Sequence, residues 1–264
     1  MDLNLKGKTA LVTGSSSGIG EGIAKCLARE GVHVMVQGRK KTELQRVVRE
    51  ITAQGGIAHY VEGDLTHDGE AKGIAAKTLQ ELQHVDILIN NAGAFPNQGW
   101  LQSSPQDWLD LLNVNVVSMV RMIQAFLPQM QTLGWGRIIQ IASVAGISAS
   151  PLSPAYGATK AANINITSSL AKDLAGTGIT VNTVSPGPIT TAGTRELFQE
   201  IALEKNWGTN WQEIEKKAIQ EMLPNLVKRF GTPEEVGNLV AFLASPCADF
   251  ITGANYRIDG GRMV

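Results

Sequence analysis

The chain has 264 residues, 43% of them hydrophobic, and 23 Lys and Arg set against 24 Asp and Glu give a formal net charge of −1. That length supports one large core and one domain, and the balanced charge offers no basic surplus to bring nucleic acid in as a partner. No uninterrupted apolar run reaches 18 residues, and the start MDLNLKGKTALV lacks the basic-then-apolar pattern of a signal peptide, so a cytoplasmic protein with no membrane span is expected.

In chain order, TALVT (9–13) is predicted to be a first strand, followed by a helix over IGEGIAKCLAREG (19–31) with Ile19, Ile23 and Leu27 on one face. HVMVQ (33–37) is a second strand. KTELQRVVREITAQGG (41–56) is a second helix, with Thr42 as its cap and Gly55 at its end. Further strands are predicted at AHYVEGD (58–64), VDILINN (85–91), GRIIQIAS (136–143), ITVNTVSP (179–186) and ANYRIDG (254–260). Strands separated by helices imply parallel pairing through right-handed crossovers. The expected fold is α/β, a single-domain Rossmann fold over 1–264, with a doubly wound, seven-stranded parallel sheet and helices on both faces. The polar segment 188–230 follows the sixth strand, where open α/β sheets bind ligands, and is expected to be a substrate-binding insertion or lid. Cys26 and Cys247 have no CxxC partner and read as reduced thiols; no metal site is expected.

The stretch VTGSSSGIG (12–20) has two readings. Gly14 to Gly18 spells G-x-S-x-G, a nucleophile elbow with Ser16 as the attacking group. It also spells a glycine-rich turn between a strand and a helix, where backbone N–H groups and the helix dipole hold phosphates. An elbow needs an acid and then a histidine later in the chain. The histidines are His33, His59, His67 and His84, all early, and they read as surface or loop residues, so the phosphate turn is preferred.

Tyr156-Gly157-Ala158-Thr159-Lys160 is a Y-x-x-x-K, which on a helix puts phenol and ammonium on one face. A free tyrosine titrates near pH ~10, and bringing it to about 7 takes roughly 4 kcal/mol, part of which the Lys160 charge is expected to supply. Such a tyrosine serves as general acid or base. Ser143, predicted at the end of the fifth strand, would hold a carbonyl or alcohol oxygen beside it.

With these residues in order, the chain resembles the classical short-chain dehydrogenase/reductases, in particular those of the 3-oxoacyl-carrier-protein reductase type. The likeness runs from about Lys8 to Gly261 through TGSSSGIG (13–20), Asp64, NNAG (90–93), LLNVN (111–115), Ser143, YGATK (156–160) and PGPITT (186–191). It implies a catalytic tetrad of Asn115, Ser143, Tyr156 and Lys160. Asn113 competes for the asparagine role; Asn115 is preferred because Trp108 stands where the family places a tryptophan. The resemblance further implies that Gly14, Ser15, Ser16, Ser17, Gly18, Ile19 and Gly20 wrap the cofactor phosphates. Asp64 and Leu65 would border the adenine, unless Asp64 only caps a strand. Asn91, Ala92 and Gly93 would line the cofactor, and Pro186, Gly187, Ile189 and Thr191 would fix the nicotinamide. Tyr156 and Lys160 would touch cofactor as well as substrate, with Asn115 holding a water against Lys160.

The end of the second strand carries Gly38 and then Arg39, with no acid to hold a ribose 2′-hydroxyl. A guanidinium there suits a 2′-phosphate, so NADP(H) is favoured and NAD(H) is the alternative; Arg39 to Lys41 read otherwise as a solvated helix start. The expected reaction is hydride transfer between nicotinamide and a ketone or secondary alcohol, with a 3-oxoacyl thioester or related carbonyl as substrate. The alternatives are an NAD-dependent dehydrogenase of a sugar, steroid or other secondary alcohol, and a catalytically silent nucleotide-binding regulator. Phe95, Trp100, Val144, Ile147, Leu152, Phe198, Trp207 and Trp211 are candidate pocket residues or, equally, packing residues, and Arg195 is a candidate for an anionic group or a solvated side chain. The family resemblance also implies a homotetramer, built on helices near 105–130 and 155–175 and on the C-terminal ITGANYRIDGG.

Overall fold

The computed structural model describes residues 2–262. Seven parallel strands form one sheet in the order β3-β2-β1-β4-β5-β6-β7. They are β1 (Thr9–Val12), β2 (His33–Gly38), β3 (Ile57–Glu62), β4 (Ile87–Asn90), β5 (Gly136–Ile141), β6 (Ile179–Pro186) and β7 (Asn255–Ile258). The seven predicted strands are all present. Their ends differ because the flanking polar residues leave the ladder for loops: β3 stops at Glu62 rather than Asp64, and β5 at Ile141, short of Ser143.

The helices are α1 (Gly18–Arg29), α2 (Lys41–Ala53), α3 (Asp68–Leu82), α4 (Pro105–Leu112), α5 (Ser118–Leu133), α6 (Pro154–Asp173), α7 (Ala192–Lys205), α8 (Trp211–Glu221) and α9 (Pro233–Ala244). Thr42 is not the cap of α2. The helix already includes Lys41, so Thr42 lies inside the first turn and Lys40 occupies the cap position without a side-chain bond. Gly55 does end α2, with φ +84° just past the C-cap Gln54. Ser104 with Asp107, and Thr232 with Glu235, form reciprocal capping boxes ahead of α4 and α9, each followed by proline at the first helical position.

Alternate strand residues face opposite layers. Val12, Val36, Ile89 and Ile139 face α1, α2 and α9, meeting Ile23, Leu27, Leu44, Val47, Val236 and Val240. Leu11, Met35, Leu88, Ile138 and Val181 face the other way, onto Ile74, Met119, Met122 and Phe126 of α3 and α5. Both faces being covered explains why the strands read as continuous apolar runs. Each such aliphatic side chain contributes about 1.5–3 kcal/mol on burial. One helical run, Pro105–Leu133, is long and apolar enough by length and composition to cross a membrane. Its Met119, Met122, Phe126 and Met130 are buried in the second core.

The strand order reverses between β1 and β4, which pair with each other at Val12↔Ile89 while β1 also pairs with β2 at Val12↔Val36. Loops leaving these two strands diverge and open a crevice at their carboxyl ends, the expected ligand position. Segment 188–230 folds into α7 and α8 around a small core of its own. Phe198 packs edge-on against Phe230 at 5.3 Å, and Trp207, Ile214 and Ala218 complete it.

Candidate active site

The turn after β1 is held by its own side chains. The Ser15 hydroxyl donates to the Val12 carbonyl at 2.6 Å and accepts the Gln37 N–H at 3.0 Å. The Gln37 side chain takes the Gly14 N–H at 3.1 Å. Two glycines are required by space. A Cβ on Gly14, whose φ is +61°, would lie 2.7 Å from the Ala92 Cα, and one on Gly20 would lie 2.4 Å from both the Asn91 amide nitrogen and the Gly14 carbonyl oxygen. The loop after β4 closes onto this turn. Thr13 accepts the backbone N–H groups of Asn91 and Ala92 at 2.9 and 3.0 Å, and the Asn91 amide donates to the carbonyls of Thr13 and Gly14 at 3.0 Å each.

Ser17 occupies the N-cap of α1 without a side-chain bond, leaving the first-turn N–H groups of the helix without a side-chain cap. Thr191, which caps α7, lies across from Gly18: a Cβ there would sit 3.4 Å from the Thr191 methyl. Ser16 lies beside Gly38, where a Cβ would be 3.0 Å from its hydroxyl. Among the described residues no histidine bonds to Ser16, so the nucleophile-elbow reading has no base.

At the far end of the crevice, Arg39 is exposed and stands 3.7 Å from Asp64. Asp64 accepts the Thr66 N–H at 2.9 Å and its hydroxyl at 2.7 Å. Burial pushes this carboxyl up, but the Thr66 hydrogen bonds and the Arg39 and His67 charges outweigh it and hold it below the ordinary value. Leu65 is buried in the second core, and its carbonyl accepts from Arg121 at 3.3 Å.

The four residues of the expected tetrad converge from three elements. Ser143 lies past the end of β5 and caps a single 3₁₀ turn, Val144–Gly146, by accepting the Ala145 N–H at 3.1 Å. That turn presses on α6: a Cβ on Gly146 would come within 2.6 Å of the Lys160 backbone carbon. Tyr156 sits in the first turn of α6, and the Phe95 ring meets it edge-on at 4.7 Å. Lys160, one turn further on, is 5% exposed and donates to the Ile141 carbonyl at 3.0 Å. Its ammonium is 5.6 Å from the Tyr156 ring centre.

Asn115 lies in a π-helical turn, Asn113–Val117, between α4 and α5, a wide turn of a kind frequent at functional sites. It accepts the Ala94 N–H at 2.8 Å and donates to the Ala94 carbonyl and to Thr159, each at 3.0 Å. Gly93 separates it from Lys160: a Cβ there would be 3.0 Å from the Asn115 carbonyl oxygen and 3.5 Å from the Lys160 nitrogen. Asn113 points elsewhere, donating to the Thr66 carbonyl at 3.1 Å and accepting from Arg121 at 2.8 Å.

The electrostatics correct one expectation. Burial alone pushes the Lys160 ammonium down to about 8. Burial raises the Tyr156 phenol above its ordinary value, and the group pulling it back is Ser143, through a hydrogen bond, not Lys160.

The pocket candidates divide. Trp100 and Trp108, their rings tilted by 36° with centroids 5.6 Å apart, line a cleft of about 570 Å³ with Ile147, Pro151, Gly157 and Ala158, on the flank of α6 next to Tyr156. Phe95 and Leu152 are exposed on the same side. Val144, Phe198 and Trp207 are 4–5% exposed and serve packing, because the 3₁₀ turn and the small core enclose them. Trp211 packs on Phe230 and carries the Arg195 guanidinium 4.9 Å above its ring, beside a separate cleft of about 490 Å³. Three residues escaped the sequence reading. Thr13 and Thr159 lie inside motifs that were read for their neighbours. Arg46, which donates to the Ser16 carbonyl at 3.3 Å, belongs to an ordinary amphipathic helix with nothing local to mark it.

The family model described as short chain dehydrogenase matches residues 8–202. An uncharacterized oxidoreductase of Bacillus subtilis is 37% identical over 261 residues, which is 99% of this chain and 98% of that one. The L-sorbose reductase of Gluconobacter frateurii, solved with NADPH and L-sorbose, superposes with a TM-score of 0.93 at 31% identity, covering 99% of this chain and 98% of its own. A 3-oxoacyl (acyl-carrier-protein) reductase of Agrobacterium tumefaciens with NADP bound superposes at 0.88 with 35% identity, over 98% and 96%.

Proposed function

This chain belongs to the short-chain dehydrogenase family and is an NAD(P)-dependent oxidoreductase, and from that premise we propose that it reduces a ketone to a secondary alcohol with NADPH, using Tyr156 as the proton donor. The single observation that carries the reading is the convergence of Ser143, Tyr156, Lys160 and Asn115 beside the crevice that the glycine turn opens.

The residues present fit a dinucleotide. Gly14 and Gly20 let the turn pack directly on the loop after β4, and the first-turn N–H groups of α1, which no side chain caps, are available to a pyrophosphate. Asn91, Ala92 and Gly93 would flank the ribose and nicotinamide, with Lys160 on the ribose hydroxyls. Pro186, Gly187, Ile189 and Thr191 would close the other side. Asp64 and Leu65 would border the adenine, Leu65 through its backbone. Gly38 carries no acid, and Arg39 is exposed beside it, which supports NADP(H) over NAD(H).

When bound, the cofactor supplies hydride to the carbonyl carbon. The Tyr156 phenol gives its proton to the carbonyl oxygen, and its raised pKa keeps it protonated at neutral pH, as a donor must be. Ser143 donates a hydrogen bond to the same oxygen and orients it. Lys160, titrating at about 8, holds or releases a proton close to neutrality and so re-supplies the phenol. Asn115 ties α6 to the loop after β4 through Thr159 and Ala94, which keeps Lys160 in line.

The apolar cleft by Trp100 and Trp108 supports a 3-oxoacyl thioester-type substrate, and α7 with α8 form the lid over one continuous domain. The likeness to L-sorbose reductase favours a keto sugar as the second reading. NADPH and NADH oxidation followed in parallel against an acetoacetyl thioester, a diketone, a cyclic ketone, a steroid and keto sugars tests both. Turnover of the thioester with NADPH is expected; turnover of sugars alone supports the second reading, and binding of both cofactors without turnover of any ketone overturns the first.

Gly38→Asp tests the cofactor choice. A carboxylate there repels a 2′-phosphate, so NADPH binding is expected to weaken at least about tenfold. NADH binding should improve little, because the new Cβ crowds the Ser16 hydroxyl. Titration by reduced-nicotinamide fluorescence checks it, and unchanged NADPH affinity sinks the assignment.

We also propose a cytoplasmic homotetramer. Exposed Leu109, Val117 and Leu133 on α4, the π-helical turn and α5, and the fully exposed Phe250 ahead of β7, support the two interfaces. Light scattering should return four chain masses; one chain mass at micromolar concentration removes the proposal.

A further inference from the structure

A charge network beneath the glycine turn takes no part in the proton chemistry of Tyr156 and Lys160. Its centre is Arg46 on α2. The guanidinium grips Glu21 of α1 with both terminal nitrogens, at 3.0 and 2.7 Å, and reaches Glu50 at 2.9 Å and Glu43 at 3.0 Å along its own helix. One of the two nitrogens on Glu21 also donates to the Ser16 carbonyl at 3.3 Å. Lys25 adds a second cation, 2.5 Å from Glu21 and 2.6 Å from Glu50.

Glu21 is the key to the arrangement. It lies in the first turn of α1, and its side chain is only 16% exposed. A carboxylate there steadies an isolated helix through the dipole. The same charge opposes any phosphate that comes to the N–H groups of that turn, and partial burial weakens solvent screening. Arg46 and Lys25 both contact this carboxylate and counter that opposition, while Glu50 and Glu43, which share these cations, are more open to solvent. The Ser16 carbonyl is the second half of the arrangement. Ser16 stands between the phosphate turn and Gly38, so holding its backbone fixes the distance between the pyrophosphate end of the site and the ribose end.

We propose that Arg46 is a positioning residue of the nucleotide site: it holds the Ser16 backbone in place and, with Lys25, screens the partly buried Glu21 so that the start of α1 accepts the phosphates of a dinucleotide. The assignment rests on the reading of the crevice as a nicotinamide dinucleotide site. It acts on phosphates that NADPH and NADH share, whereas Gly38 and Arg39 act on the 2′-phosphate that only NADPH carries.

Fluorescence titration of the full chain with NADPH and with NADH tests this, in wild type, Arg46→Met, Arg46→Lys, Lys25→Met and the double variant Arg46→Met with Glu21→Gln. Arg46→Met should raise Kd for both cofactors by a similar factor, about tenfold, and turnover at saturating cofactor should stay above about half. Arg46→Lys keeps the charge but loses the two-pronged grip, so it should fall between. Adding Glu21→Gln should recover part of the lost affinity, because the hold on the Ser16 backbone stays lost. Lys25→Met should weaken both cofactors in the same direction and serves if Arg46→Met does not fold. Affinities within twofold of wild type overturn the proposal. So does weakening of NADPH alone, which would make Arg46 a 2′-phosphate ligand, and so does failure of Glu21→Gln to recover binding. A fall in turnover that tracks a fall in melting temperature, with Kd unchanged, reduces Arg46 to scaffold. A wild-type chain that binds neither cofactor removes the underlying reading instead, a result no variant is needed to see.

Discussion

Tyr156→Phe is expected to lower ketone reduction by about a thousandfold, the middle of the range for a lost general acid and equal to about 4 kcal/mol of barrier. The substitution removes one hydroxyl and leaves the ring in its edge-on contact with Phe95. The backbone of α6 is unaffected, so Lys160 keeps its bond to Ile141 and Asn115 its bond to Thr159. NADPH affinity should therefore stay within about threefold, since no phosphate or ring contact is lost. The pH profile gives an independent check. Because burial raises the Tyr156 phenol, reduction should hold up through neutral pH and fall only on the alkaline side, as the donor loses its proton. Single-turnover kinetics with saturating NADPH would show it. Residual activity above a tenth of wild type would sink the assignment of Tyr156 as donor.

Lys160→Met should abolish most turnover, by about a hundredfold or more, and should also stabilise the fold. Lys160 is 5% exposed, and among the described residues it forms no salt bridge. Burial depresses its pKa from 10.5 to about 8. Below about pH 8 the side chain is charged in both folded and unfolded chains, and the folded state bears the full cost of a buried ammonium. Between about 8 and 10.5 the folded form has released the proton and the unfolded form still binds it, so stability rises with pH. Above 10.5 the cost is gone. The difference corresponds to about 3 kcal/mol at neutral pH. Losing the bond to the Ile141 carbonyl offsets about 1 kcal/mol of it. The remaining gain of about 2 kcal/mol should raise Tm by several degrees in a chain of this size. Calorimetry between pH 7 and 10.5 would also show the stability slope of the wild type and its loss in the variant. A destabilised Lys160→Met with an unchanged slope contradicts the argument. Catalysis and stability thus pull in opposite directions at this one position.

The sheet could be read ahead of the structure because its strands are buried on both faces and stand out as β-branched runs, with helical periodicity between them. Gly14 and Gly20 were legible for a related reason: a position that no Cβ can occupy leaves a glycine in the text. Contacts between distant segments were not legible. Arg46 meets Ser16 only because α2 packs beside α1, and nothing local marks it. Val144, Phe198 and Trp207 could be pocket or packing residues by sequence, because a large apolar side chain looks the same whether it lines a cleft or fills one; their burial makes them packing residues. The Lys160 charge beside the Tyr156 phenol is visible in the sequence, whereas the burial that raises the phenol and lowers the ammonium is a property of the folded chain.

The stitching of the two loops that flank the crevice bears on how the molecule comes into being. Thr13 and Asn91 are separated by 78 positions along the chain, and four of the bonds that shape the nucleotide site join those two neighbourhoods. The glycine turn is synthesised early and has its own bonds through Ser15 and Gln37, yet its bonds to Asn91 and Ala92 form only when β4 arrives and docks on β1. A nascent or partly folded chain lacking that docking therefore has the motif but only one wall of the site, and the nucleotide grips the finished sheet best. Ligand present during biosynthesis then acts as a lock rather than a template: it leaves the folding rate alone and slows escape from the native state.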